Sequence, residues 1–441
     1  MPSENVPDTH LCLETVAAAW LGRRPAHIEV GFSGGLDSVV LLHILVTLRQ
    51  QYGFRVQAVH IHHGLNPAAD DWAAFCRRCC EEWNVPLRVV RVQVNSERLG
   101  VEAAARAERY RAFAASDCAV LALAHHQNDQ IETFLLAAAR GGGIRALAAM
   151  PEWRALNSDI QIWRPLLPLS RNRLADYAAA HGLTYVEDDS NGDPAYLRNW
   201  LRHQALPAWR QRVAHIDRQI LANVRALQDD LALLDELAEA DWAQVCLGGR
   251  FSLAAWRQLS ERRRRHLLHF LLQRHDIHVS RQYLYDFSRV LSEAESGSWT
   301  VGGKQMIAYR QILFIVPEHI GQSVTWADKP LTGRLKTLLQ AQGFVLRPQR
   351  GGLSETVLNS DGMIRVPAAT DKIPIHSGSK SVNKILQEAR VLPPLRAYWP
   401  LIAAADGTCL AVANLRVRQD IQAENGWLPV WPQWQDYCGI K

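Results

Sequence analysis

The 441-residue chain has no continuous apolar run of the ~20 residues that a membrane-spanning helix needs, although apolar residues make up 48% of it. Its opening segment, MPSENVPDTH, holds neither the basic cluster nor the apolar stretch of a secretory signal. Cysteine is sparse and scattered: Cys12, Cys76, Cys79, Cys80, Cys118, Cys246, Cys409 and Cys438. In a chain of this length they read as reduced thiols of a cytoplasmic protein, not as a disulfide framework. Internal repeats and low-complexity tracts are absent. Charge of one sign is not dominant either. The net charge of +5 favours an anionic partner only mildly and does not by itself identify nucleic acid.

Enough apolar sequence remains for two or three domains at about 150 residues each. The first two hundred residues alternate strand and helix. Apolar or alternating runs at His27–Ser33, Arg55–His62, Leu87–Val94 and Ala119–Ala124 predict strands. Helices are predicted over Val39–Gln51, Asp70–Trp83, Glu102–Ser116 and Gln130–Arg140. This order implies an α/β fold with a doubly wound parallel sheet. Gly141 to Gly143 stop a helix, Ser170 can cap the next one, and Pro207 is expected to end the one after that. Residues 210–295 read as mostly helical and 296–316 as a short β segment. The remainder mixes short strands with one helix near Ser381–Arg390. The expected domains are 1–208, 209–319 and 320–441: catalytic, mainly helical, and small α+β.

The loop Ser33-Gly34-Gly35-Leu36-Asp37-Ser38 between the first strand and its helix lacks the lysine of a Walker P-loop. Its two glycines allow close backbone approach to phosphate oxygens, and Ser33 and Ser38 can add hydroxyl donors. The following helix turns its positive end to the same anion. Asp37 would repel a bare polyphosphate, so the arrangement suits a bridging Mg²⁺ held by Asp37. A tight turn with an aspartate cap would use the same residues. The other strand ends decide between them. His62-His63-Gly64 closes the second strand, and AHHQNDQIET, Ala124 to Thr133, follows the fourth. In an open parallel sheet, these polar stretches fall on the edge where ligands bind.

Taken together, these motifs resemble the tRNA(Ile)-lysidine synthetase family of the ATP-pyrophosphatase (PP-loop) enzymes. SGGLDS at 33–38, His63-Gly64-Leu65, Glu102-Ala103-Ala104 with Arg106 and Tyr110, AHHQNDQIETFLLAAARGGG, RPLLPLSR and DDSNGDPAYLRNWLR carry the likeness. It is strong over roughly residues 25–207. It continues through LRPQRGG and KILQEARVLPPLRAYWPLI to the end. One departure stands out: Asn128 occupies a position where many members have a second acid beside Asp129.

The resemblance implies an adenine nucleotide alpha hydrolase-like fold and a two-step ligation. ATP adenylates carbon 2 of the wobble cytidine in a CAU-anticodon isoleucine tRNA, and pyrophosphate leaves. Free L-lysine then displaces AMP, giving lysidine, which changes codon recognition from AUG to AUA. On this reading Ser33 to Ser38, with His63 and His125, bind nucleotide. Asp37 holds Mg²⁺, and Arg106 meets the α-phosphate or the leaving AMP. Asp129 and Glu132, three apart on one helix face, hold the lysine ammonium and later take its proton. Arg198 and Arg202, four apart, contact tRNA phosphate or form a surface ion-pair face. A homodimer is compatible with the family, and no membrane partner is expected.

Two rival readings use the same loop: another PP-loop tRNA-modifying enzyme such as a thiolase, and a non-catalytic RNA-binding module. A thiolase would need catalytic or cluster-binding cysteines. Cys76, Cys79 and Cys80 sit within an amphipathic helix pattern with no second ligand pair at zinc spacing, and are read as ordinary helix cysteines. Glu261 to His275, ERRRRHLLHFLLQRH, looks basic. Consecutive arginines cannot share one helical face, however, and Leu267, Leu268, Leu271 and Leu272 make it first a core helix.

Overall fold

The computed structural model describes residues 9–64, 66–93, 101–187, 197–317, 324–375 and 378–437. Leu65, most of the DDSNGDPAYLRNWLR block and the expected boundary near 320 lie outside the described residues. Two compact units form, Met1–Asp235 and Glu236–Lys441, and the division falls inside the helix Ile216–Val245. Among the described residues no helix is long and apolar enough to cross a membrane.

The first unit is built on a six-stranded sheet. Its strands are β1 (His27–Gly31), β2 (Arg55–His62), β3 (Leu87–Arg91), β4 (Val120–Ala122), β5 (Trp153–Ala155) and β6 (Gln161–Trp163). Their order is β3-β2-β1-β4-β6-β5, all parallel except β5, which runs antiparallel at the edge. The helices are α1 (Thr9–Leu21), α2 (Leu36–Tyr52), α3 (Ala69–Glu82), α4 (Val101–Ala114), α5 (Gln127–Ala139), α6 (Ile144–Leu147) and α7 (Arg171–Ala180). The chain winds outward from β1 to β3, then returns to place β4 on the other flank of β1. The reversal opens a crevice beyond the carboxyl ends of β1 and β4, where such sheets bind ligands.

Local sequence explains the layers. The α2 pattern is apolar on nearly every side, and Val39, Val40, Leu41, Leu42, Ile44 and Leu45 are all fully buried. It therefore lies inside the core, in contact with α1 and α7. By contrast, α3 buries only Ala69, Ala73, Cys76, Cys79 and Cys80, the single face of an amphipathic helix. Ser170 caps α7 by accepting a hydrogen bond from the Arg173 N–H.

One expectation fails. Pro207 does not end a helix: residues 197–212 are helical throughout, and Pro207 sits in the opening turn of Leu206–Arg212. A π turn at Leu201–Ala205 precedes it. Proline is tolerated where a helix register begins, because its missing N–H would lack a partner there anyway.

In the second unit, the helices Leu253–Gln258, Glu261–Arg274 and Arg281–Glu293 share a core with a five-stranded sheet that includes the hairpins between Gly297 and Pro317. The basic helix Glu261–Arg274 buries Leu267, Leu268, Leu271 and Leu272 as its pattern predicts. Its arginines are used structurally. Arg263 pairs with the fully buried Asp241, and Arg264 lies 5.6 Å from the Trp256 ring. Residues 324–437 add further small antiparallel sheets, with the helix Val382–Glu388 capped by Ser381.

Candidate active site

The loop after β1 is shaped by its own serines. The Gly34 N–H donates to Ser38 Oγ at 3.1 Å, and the Gly35 N–H donates to Ser33 Oγ at 3.3 Å. Ser38 Oγ in turn donates to the Gly35 carbonyl at 2.9 Å. Gly34 has φ +87, and a Cβ there would lie 3.1 Å from both Cys76 Sγ and Val186 Cγ2. Only glycine fits that bend without strain. The hydroxyls of Ser33 and Ser38 thus brace the loop, and both residues also line the cleft beside it. The candidate anion site is the first turn of α2. Its N-cap, Gly35, offers no side-chain cap, so the opening N–H groups of Leu36, Asp37 and Ser38 face outward without intrahelical partners.

That turn borders a cleft of about 1110 Å³. Ser33, Gly35 to Ser38, His63, Arg106, His125, Asp129 and Arg202 all line it. Residues from the ends of β1, β2 and β4 thus converge with α4 and the 197–212 helix. Glu132 does not line the cleft. It is 1% exposed, one helical turn behind Asp129.

The acids and arginines form one cluster. Arg198 donates to Glu132 Oε2 at 2.7 Å and to Asp129 Oδ1 at 2.8 Å. Arg202 donates to both oxygens of Glu132, at 2.6 and 2.9 Å, and its Nη2 lies 3.6 Å from Asp129 Oδ1. The ion-pair reading of Arg198 and Arg202 fits these contacts, with buried acids of α5 as the partners. In this structure both Glu132 oxygens accept hydrogen bonds from guanidinium groups. Asp129 remains the acid that the cleft can reach. Burial would raise its pKa, but His126, the His126 N–H at 3.0 Å, His125 and Arg198 outweigh burial and hold it below the ordinary value. Asn128 has a structural use, because its Oδ1 accepts from the Arg171 N–H at 3.0 Å and ties α5 to the start of α7.

His126, which the motif AHHQNDQIET contains but which was not singled out from it, bridges the two acids of the site. Its Nε2 lies 3.6 Å from Asp37 Oδ2, and its Nδ1 lies 3.5 Å from Asp129 Oδ2. Several buried polar atoms here have no hydrogen-bond partner: Asp37 Oδ1, His63 Nδ1, His125 Nδ1 and His126 Nδ1. Orphaned atoms concentrated in one region mark a place where ligands complete the bonding. Burial pushes the His125 pKa down to about 4, against the pull of Asp129, and lowers that of His63. The His125 imidazole is therefore neutral at pH 7.

Asp37 is the carboxylate placed to hold Mg²⁺. Asp37 Oδ1 is buried and unbonded, with Arg171 Nε 3.9 Å away. One carboxylate beside a phosphate cradle suits a metal that keeps most of its waters and takes phosphate oxygens. Among the described residues no group of three potential metal ligands occurs. Cys76 and Cys80 are buried, and burial raises both thiol pKa values, that of Cys80 to about 12. Neither is a poised nucleophile.

Sheet order, glycine loop and cleft define an ATP-using domain of the PP-loop class, and the PP-loop domain family matches residues 11–209. A second family, the TilS substrate C-terminal domain, matches residues 364–431. The tRNA(Ile)-lysidine synthase of Neisseria gonorrhoeae is 48% identical over 405 residues, which is 91% of each chain. That of Chromobacterium violaceum is 39% identical, over 91% of this chain and 94% of its own. This chain belongs to the tRNA(Ile)-lysidine synthase family. Among solved structures, a U34-tRNA thiolase of Methanococcus maripaludis aligns with 16% identity and a TM-score of 0.42, covering 50% of this chain and 80% of that one.

Proposed function

We propose that this chain ligates L-lysine to carbon 2 of the wobble cytidine in a CAU-anticodon isoleucine tRNA, consuming ATP and releasing AMP and pyrophosphate. The observation that carries this reading is the uncapped first turn of α2 opening into the same cleft as Asp129. A diphosphate site and an ionised acid in one hollow suit an adenylation followed by amine attack.

The opening N–H groups of α2 bind the departing pyrophosphate, where the helix dipole favours negative charge. Bound Mg²⁺ would supply neutralising charge beside Asp37. Arg106, on the cleft wall, faces the α-phosphate and then AMP. His63 and His125 meet the nucleotide through their ring nitrogens, His125 as a neutral imidazole. Lysine arrives as an ammonium of pKa about 10.4. Asp129, held ionised, captures that cation and takes its proton as the carbon–nitrogen bond forms and AMP leaves. Glu132 acts through Arg198 and Arg202, which fix the 197–212 helix against α5. Residues 209–319 and 320–441 are proposed to hold the rest of the tRNA. A homodimer, which rests on family resemblance alone, is checked by light scattering.

The test uses unmodified CAU-anticodon tRNA and ATP labelled at its α-phosphate, without lysine. Label accumulates on the tRNA and is discharged as AMP when lysine is added. Failure of label to reach the tRNA would refute the reading.

A further inference from the structure

Tyr110, on the cleft wall, stands among three guanidinium groups. Arg106 Cζ lies 5.0 Å from its ring centroid, and Arg106 Nη2 donates to the hydroxyl at 3.3 Å. Arg154 Cζ, from the edge strand β5, lies 5.6 Å from the same centroid. The third guanidinium, Arg164, is near enough for the Tyr110 hydroxyl to influence its charge. Arg164 is 3% exposed, its Nη1 donates to the Pro151 carbonyl at 2.8 Å, and its buried Nε has no partner. Among the described residues none of these three arginines has a carboxylate within ion-pair distance. Burial, with the charges of Arg154 and Arg106, lowers the Arg164 pKa. Three like charges gathered without an acid are unfavourable until an anion joins them.

Arg106 is assigned above to the α-phosphate of the nucleotide, so the anion sought here is a second one, met by Arg154. Arg154 lies outside the lining of that cleft and is exposed. An aromatic face flanked by arginines is the chemistry of single-stranded nucleic acid, where a ring receives a base and guanidinium receives phosphate. We propose that Tyr110 and Arg154 form the seat for the nucleotide flanking the target cytidine, with Arg154 on its phosphate and the Tyr110 ring against its base. This assignment rests on the lysidine-forming reading and adds the path of the RNA strand across the lip of the cleft.

The test measures binding of an unmodified CAU anticodon stem-loop RNA across a range of salt concentrations. Arg154→Ala should weaken binding roughly tenfold and make the logarithmic salt slope shallower by about one, as for a lost phosphate contact. Arg154→Lys should restore the slope. Tyr110→Phe, which keeps the ring, should bind RNA more tightly than Tyr110→Leu. ATP affinity by calorimetry should be unchanged in Arg154→Ala. Wild-type RNA affinity in Arg154→Ala, or an equal loss of ATP binding, would overturn the seat. A wild-type protein that transfers no lysine would instead refute the parent reading.

Discussion

Glu132 accepts hydrogen bonds from Arg202 on both carboxylate oxygens, at 2.6 Å from Nε and 2.9 Å from Nη2. The acid is buried and the arginine partly exposed. Removing the acid takes the closest partner from Arg202 and leaves Arg198 only its bond to Asp129, whereas removing a solvent-facing charge would leave little behind.

Glu132→Ala should therefore lower unfolding stability by about 2–3 kcal/mol, below the full value for a fully buried pair because the arginines reach solvent. It should also depress adenylation and lysine transfer alike. Thermal denaturation with both half-reactions checks this. A variant that folds normally and loses lysine transfer alone would restore Glu132 as a direct lysine ligand.

Asp37→Asn tests the metal assignment. Asp37 Oδ1 has no hydrogen-bond partner, so the fold should tolerate the change. Pyrophosphate release should fall by at least about a hundredfold, as when one main electrostatic contact to a transition state is lost. Rising Mg²⁺ should not rescue it. Near-normal release would dissociate Asp37 from the metal.

Gly34→Ala should destabilise the protein by about 1–3 kcal/mol, because it combines a positive φ with contacts at 3.1 Å to Cys76 and Val186. The loop would open against the segment at Val186, whose N–H donates to the Gly34 carbonyl at 3.0 Å. The KM for ATP should rise. An unchanged melting temperature and KM would contradict the close packing.

His125 makes a pH prediction. Burial holds its folded pKa near 4, below the ordinary value of 6.5. The unfolded chain therefore binds the proton first as pH falls. Stability due to neutral His125 is full above 6.5 and is lost as pH drops towards 4. His125→Asn should lose less stability than wild type between pH 7 and pH 4.5 in denaturant melts. Equal losses would place the acid sensitivity elsewhere.

The strand pattern was readable because buried parallel strands are continuous apolar runs, and β2 at Arg55–His62 matches its sequence bounds. The convergence of Asp37, His63, His125 and Asp129 followed from strand ends alone. The pairing of Glu132 with Arg198 and Arg202 did not, because it spans 66 and 70 residues and no local periodicity encodes it. His126 was hidden for a similar reason. Which of two adjacent histidines turns inward depends on the N-cap geometry of α5, where the His126 N–H meets Asp129. Pro207 misled because proline reads as a stop unless the helix register restarts beside it, as the π turn makes it do.

The most direct measurement of the central claim incubates the protein with labelled L-lysine, ATP, Mg²⁺ and unmodified CAU-anticodon isoleucine tRNA, then digests the RNA to nucleosides. The account predicts label in one modified cytidine, with AMP and pyrophosphate formed in equal amounts to it and none formed by Asp37→Ala. Absence of label alongside an active control enzyme, or ATP consumption yielding ADP and phosphate, would contradict it.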